Sequence, residues 1–82
     1  MSAKEMFEEL GYEKINDPCL HGYIKIEDGF ADSIYFDKEV KNIAFNSIDI
    51  ANEYGGDIFI LTHSTLKAIN KKVEELGWLE NG

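Results

Sequence analysis

Hydrophobic residues in this chain recur first at every third or fourth position, then at every second, and finally at every third or fourth again. Ala3, Met6, Phe7 and Leu10 fall on one face of a helix, with Lys4, Glu5, Glu8 and Glu9 on the other. Ser2 stands at the N-cap position and Glu5 follows three residues later, which completes a capping box. Gly11 suits the left-handed position just past the helix end, where Tyr12 can pack back on the last turn. The same device returns near the other end: Glu8-Glu9-Leu10-Gly11-Tyr12 is echoed by Glu74-Glu75-Leu76-Gly77-Trp78. Carboxylates oppose the negative end of a helix dipole, so glycine and the aromatic carry each stop. The closing helix is predicted over His63 to Leu76, capped by Thr62. Its apolar stripe is Leu66, Ile69, Val73 and Leu76, with Lys67, Lys71 and Glu75 opposite.

Between the helices the period is two. Asn16-Asp17-Pro18 marks a turn, because proline disfavours helix in the residue before it. Tyr23 to Glu27 alternates, and the reading places Ile24 and Ile26 on the core face with Tyr23, Lys25 and later Tyr35 toward solvent. Asp28-Gly29 is a turn, and a second strand over Ser33 to Asp37 points Ile34 and Phe36 inward. Asp37 to Asn42 reads as a hairpin connection into a third strand near Ile43. The phase of Ile43 and Phe45 does not match that of Ile48 and Ile50, which predicts a bulge or break at Asn46 or Ser47. Asn52 to Asp57, containing Gly55-Gly56, reads as a loop. Ile58-Phe59-Ile60-Leu61 reads as a short buried strand. The expectation is a single α+β domain over residues 1–82: an N-terminal helix, a three- to four-stranded antiparallel sheet and a C-terminal helix, both helices on one sheet face.

Charge narrows the functional classes. Sixteen acidic residues oppose eight basic ones, for a net charge of −8, and every basic residue is lysine. The absence of arginine and the negative balance argue against direct nucleic-acid binding. The first 37 residues carry nine acids against three lysines, so the excess lies in the N-terminal half. The single cysteine, Cys19, leaves no internal disulfide. No apolar run approaches the length of a membrane span and no secretory leader is evident, so a cytoplasmic location without membrane contact is expected.

No constellation of catalytic, cofactor-binding or metal-ligating residues emerges. Cys19, His21 and His63 supply a nucleophile and a base, or three zinc ligands, only if the fold brings them together, and no local signature supports either. The adjacent carboxylates Glu8-Glu9, Glu27-Asp28 and Glu74-Glu75 read as solvated faces. Gly55-Gly56 lacks the Gly-Lys-Ser/Thr ending of a phosphate loop. Lys67, Lys71 and Lys72 form the one basic patch, interrupted by Glu74 and Glu75.

The segments Ala3 to Tyr12 and Leu66 to Trp78 resemble short, uncharacterised proteins of phages and prophages of Gram-positive bacteria, which open with a (T/S)AKEMFEELGY helix and close with LKAINKQxEELGW. The Ile34 to Glu39 hairpin is similar as well, whereas residues 44–62 lie outside the resemblance. The resemblance implies a small accessory protein of the bacterial cytoplasm and assigns no activity or site residues. The expected role is therefore non-enzymatic: a module that binds a host or phage protein through its sheet face or acidic N-terminal half, as a monomer or weak homodimer. The alternative is an acidic decoy that mimics DNA on a host enzyme.

Overall fold

The computed structural model describes residues 1–18, 20–55 and 58–79. Its elements are α1 (Ala3–Glu9), β1 (Glu13–Asn16), β2 (His21–Glu27), β3 (Phe30–Asp37), β4 (Asn42–Asp49), β5 (Tyr54–Gly55) and α2 (His63–Glu75). The strands form one antiparallel sheet in sequence order, β1-β2-β3-β4-β5. Both helices cover one face of it, as the α+β reading requires. The core there is Ala3, Phe7, Tyr12, Tyr23, Ile34, Phe36, Ala68 and Ile69.

The helix ends follow their local chemistry. Ser2 Oγ accepts from the Glu5 N–H at 3.1 Å while the Ser2 N–H donates to Glu5 Oε1 at 3.0 Å, so the capping box is complete. A third donor, the Ala3 N–H, reaches across to Glu75 Oε2 at 2.8 Å. This bond ties the start of α1 to the end of α2, which fixes the pair as antiparallel. Thr62 Oγ1 caps α2 by accepting from the Thr65 N–H at 3.1 Å.

Both glycine stops are Schellman motifs. Gly11 has φ +93° and Gly77 φ +74°. The Tyr12 N–H reaches back to the Phe7 carbonyl and the Gly11 N–H to that of Glu8. The Trp78 N–H reaches Val73 and the Gly77 N–H reaches Glu74 in the same pattern. Tyr12 is buried, and Trp78 lies 6.3 Å from the Phe36 ring. A Cβ at position 11 would meet only ordinary contacts from Lys25, so its cost is conformational. Gly11→Ala is therefore expected to lower stability by about 1 kcal/mol, read as a shift in the urea unfolding midpoint. An unchanged midpoint would contradict the left-handed stop.

Four expectations are corrected, each for a physical reason. Tyr23 is buried and stacks on Phe7, while Ile26 is 67% exposed; β2 thus has the opposite phase to the one read from its isoleucines. Ile24 and Ile26 instead join Ile15, Tyr35 and Ile48 on the outer face, in register rows such as Ile26↔Ala31↔Ile48. Both sheet faces therefore carry isoleucine. For the same reason β4 has no bulge: it pairs one-to-one with β3 from Asn42 to Asp49, with Phe45 inward and Ile48 outward. Ser47 tolerates the inward position because its hydroxyl donates to Asp32 Oδ1 at 2.7 Å.

The third correction concerns the strand inventory. Glu13–Asn16, mostly polar, pairs with β2 because the first glycine stop turns the chain back along that strand. Ile58 to Leu61 is not a strand; Ile58 is 87% and Ile60 76% exposed. The short β5 lies instead in the segment read as loop, and Gly56 and Asp57 of that segment are outside the described residues. The fourth is the face of α2. Ile69 is buried and Val73 and Leu76 pack on the core as expected, but Leu66 is 41% exposed, and Thr65 and Ala68 complete the buried face in its place.

Candidate functional site

The helices cover only part of the inner sheet face. Above Tyr23, Ile34 and Phe36 the face is sealed, whereas one row further along it carries Lys25, Asp32 and Ser47, and then Glu27, Phe30 and Asp49. A cleft of about 490 Å³ opens there, with Phe30, Asp32 and Ser47 from the sheet, Glu27 and Asp28 at its rim, and Ile58 and Ile60 forming the opposite wall. The hairpin at Asp28-Gly29 has φ +52° and +81°, the two positive values of a type I′ turn, which holds Glu27 and Asp28 in place.

The wall segment is anchored at one residue. Phe59 packs against the core and lies 5.1 Å from the Phe45 ring, while Ile58 and Ile60 on either side point away from that anchor and are exposed. Around the cleft, charge is organised by short contacts. Lys25 Nζ pairs with Glu27 Oε2 at 2.8 Å, a hydrogen bond that raises the lysine above its ordinary pKa. The same ammonium lies 5.7 Å above the Tyr12 ring. Burial, followed by the charge of Asp32, pushes the Tyr12 phenol up.

Beside the cleft, β4 from Asn42 to Ser47 has no strand partner other than β3 among the described residues. Among the described residues, β5 pairs only with Ile48 and Asp49. In a two-residue hairpin the flanking pair is hydrogen-bonded, and alternate residues of a strand turn their N–H and C=O groups to opposite sides. Counting from Glu27↔Phe30, the Ile43 and Phe45 backbone groups face away from β3; the Ile50 N–H to Gly29 carbonyl bond at 3.0 Å agrees with that parity. Asn42-Ile43-Ala44-Phe45-Asn46-Ser47 holds no charge, no proline and no bulge. The other edge, β1, carries Glu13 and Lys14 and is followed by Pro18, common guards of an edge strand.

The residues considered for chemistry are dispersed. Cys19 lies outside the described residues. His21 stands on β2 opposite Phe36, whereas His63 opens α2. His63 precedes Lys72, a neighbour of His21, by nine residues, about 13–14 Å along a helix axis. Among the described residues no group of three or more His, Cys, Asp or Glu side chains is placed to hold a metal ion. Glu8 pairs with Lys4 at 3.4 Å and Glu74 with Lys71 at 3.5 Å. The supposed patch on α2 is divided: Lys67 is exposed, Lys71 is paired, and Lys72 is half-buried among other residues. Among the described residues no helix is long and apolar enough to cross a membrane.

The cleft itself has no signature in the sequence. A buried strand and an exposed apolar strap share the same run of four hydrophobic residues, and only tertiary placement separates them. Comparison with protein-family models, with curated proteins and with solved structures returns no match.

Proposed function

We propose that this chain is a protein-binding module, an accessory protein of phage or prophage type, whose acid-rimmed cleft receives an extended, apolar and basic segment of a host or phage protein. One observation carries the reading: Ile58 and Ile60, 87% and 76% exposed, wall a cleft whose rim is Glu27 and Asp28. Exposed isoleucines held on a fixed strap are costly to leave in water and gain by being covered. The rim and the net charge of −8 select a cationic occupant. The uncharged β4 edge beside the cleft offers the backbone groups of Ile43 and Phe45 to an added strand. The lysines interleaved with acids at Lys4–Glu8, Lys25–Glu27 and Lys71–Glu74 favour this reading over DNA mimicry, which needs an unbroken array of carboxylates.

The test compares affinity capture from host lysate by the wild type and by the double variant Ile58→Asp, Ile60→Asp. Both side chains are exposed, so the variant is expected to keep its melting temperature within a few degrees, corresponding to about 0.5 kcal/mol or less per site. A protein captured specifically by the wild type and lost from the variant supports the cleft. Capture that survives the double substitution, or no specific capture at all, overturns it.

A further inference from the structure

The opposite end of the sheet has the reverse character. His21 begins β2 and Glu27 ends it, so the two ends of the inner face lie about 20 Å apart along one strand. The end at His21 gathers lysines from three elements. Lys14 of β1 pairs with Tyr23 and so stands diagonal to His21 on the same face. Lys38 follows the end of β3, two residues past Phe36, the partner of His21. Lys72 lies on the flank of α2 between the buried Ile69 and the half-buried Leu76, which brings its ammonium down toward the sheet. Among the described residues, none of these three lysines has a carboxylate within ion-pair distance, although the protein has twice as many acids as bases.

The arrangement is electrostatically unfavourable as it stands. Burial and then the charges of Lys72, Lys38 and Lys14 push the His21 imidazole down from its ordinary pKa. Burial lowers Lys72 as well; Glu75 offsets this in part, and Lys14 and Lys38 add to it. Glu75 is already engaged by the Ala3 N–H. A cleft of about 280 Å³ opens beside His21, lined by Lys14, Asn16 and Asp17 among others, with Lys38 and Lys72 outside its lining on the neighbouring turn and helix. Asp17 is the carboxylate on that wall, and its Oδ1 accepts from the Leu20 N–H at 3.3 Å. Nδ1 of His21 is buried with no hydrogen-bond partner among the described residues, so an acceptor has Nε2 of this ring to approach. Three ammonium groups against Asp17 and Glu75, the latter already holding the Ala3 N–H, leave a net positive end in an acidic protein.

We propose that this end of the sheet binds a phosphate group, held by Lys14, Lys38 and Lys72 and by the Nε2–H of His21. Lysines are point charges without a planar fork, so they suit a multiply charged oxyanion and impose little geometry on what carries it. A dianion offsets the mutual repulsion of the lysines, which a singly charged carboxylate does less well. The site is independent of the acid-rimmed cleft, whose residues lie at the other end of the sheet.

The test is an NMR titration of the full chain with inorganic phosphate, ionic strength held constant with sodium chloride. Saturable shifts at the His21 ring and at Lys14 and Lys38 are expected. An anion beside the imidazole stabilises its protonated form, so the His21 pKa must rise in its presence. Sulfate, whose charge is constant through this pH range, is the control that separates titration of His21 from titration of phosphate. Lys38→Gln, in an exposed turn, is expected to keep the fold and to weaken phosphate binding by about tenfold. A methyl monoester and a dimethyl diester of phosphate distinguish a terminal phosphate from a nucleic-acid backbone, and the monoester is expected to bind more tightly. Shifts that sodium chloride alone reproduces, an unmoved His21 pKa, or Lys38→Gln binding as well as wild type would each overturn the proposal.

Discussion

Phe7→Ala is expected to remove most of the cooperative stability of the domain. Phe7 is fully buried, stacks on Tyr23 at 4.1 Å and 16°, and meets Tyr12 and Phe36 edge-on at 5.6 and 6.4 Å. Through this ring α1, its glycine stop and strands β2 and β3 meet. Truncating a buried phenylalanine costs about 3–5 kcal/mol, the lost transfer energy plus the cavity. A chain of 82 residues is stable by about 4–12 kcal/mol in all. The expected drop in melting temperature is about 15–30 °C, or no cooperative transition at the weak end of that range, measured by circular dichroism. Phe7→Leu keeps much of the volume and loses the ring contacts, so it is expected to cost about 1–2 kcal/mol. If alanine proves no worse than leucine, the aromatic cluster is not what closes the core.

The parts of the fold that could be read from sequence are those set by chemistry within a few residues. The capping box of Ser2 and Glu5, the Thr62 cap, the two glycine stops and the Asp28-Gly29 turn are all local, and all are present. What could not be read depends on which face a sheet presents to its helices. In β2, Tyr23 competes with Ile24 and Ile26 for the core, and a hydropathy pattern favours the isoleucines. The structure favours tyrosine because Phe7 supplies a ring to stack on. Burial pushes the Tyr23 phenol up from its ordinary pKa, so the hydroxyl stays neutral there. β4 follows the same rule: Ser47 breaks the apolar alternation in sequence, and Asp32 of the neighbouring strand accepts the hydrogen bond that lets it face inward.

The candidate sites follow the same division. Ile58 to Leu61 is conspicuous in sequence as an apolar run, but its role as wall of a cleft depends on Phe59 being held by Phe45, a residue of β4 distant in the chain. In sequence Lys72 groups with Lys67 and Lys71 on the helix surface. It stands instead near Lys14 and Lys38, on the flank of α2 between the buried Ile69 and the half-buried Leu76. Cationic and acidic ends thus arise on one small sheet from residues whose sequence neighbours gave no hint of the grouping.

Gly22→Val tests the outer face, which no helix covers, and the expected loss is about 2–3 kcal/mol. Gly22, the second residue of β2, is buried between Ile15 and Tyr35 of the two flanking strands. A Cβ there would lie 3.0 Å from Ile15 Cδ1, 3.0 Å from Tyr35 Cδ1 and 3.3 Å from the Ile34 carbonyl oxygen. Strand propensity alone would make the change favourable by up to about 1 kcal/mol, since valine suits a pleated surface and glycine does not. Overpacking a closed site costs about 1–3 kcal/mol, and here one neighbour is backbone and another a ring that cannot shorten. The steric cost therefore wins, and Gly22→Ala should fall between the two. Ile15→Val removes the flexible one of the three close atoms, so the loss from Gly22→Val should shrink by about 1 kcal/mol in that background, a coupling that a double-mutant cycle of urea midpoints detects. A stabilised Gly22→Val would mean that Ile15 and Tyr35 do not close over the strand, and that the isoleucines of the outer face are not packed against one another.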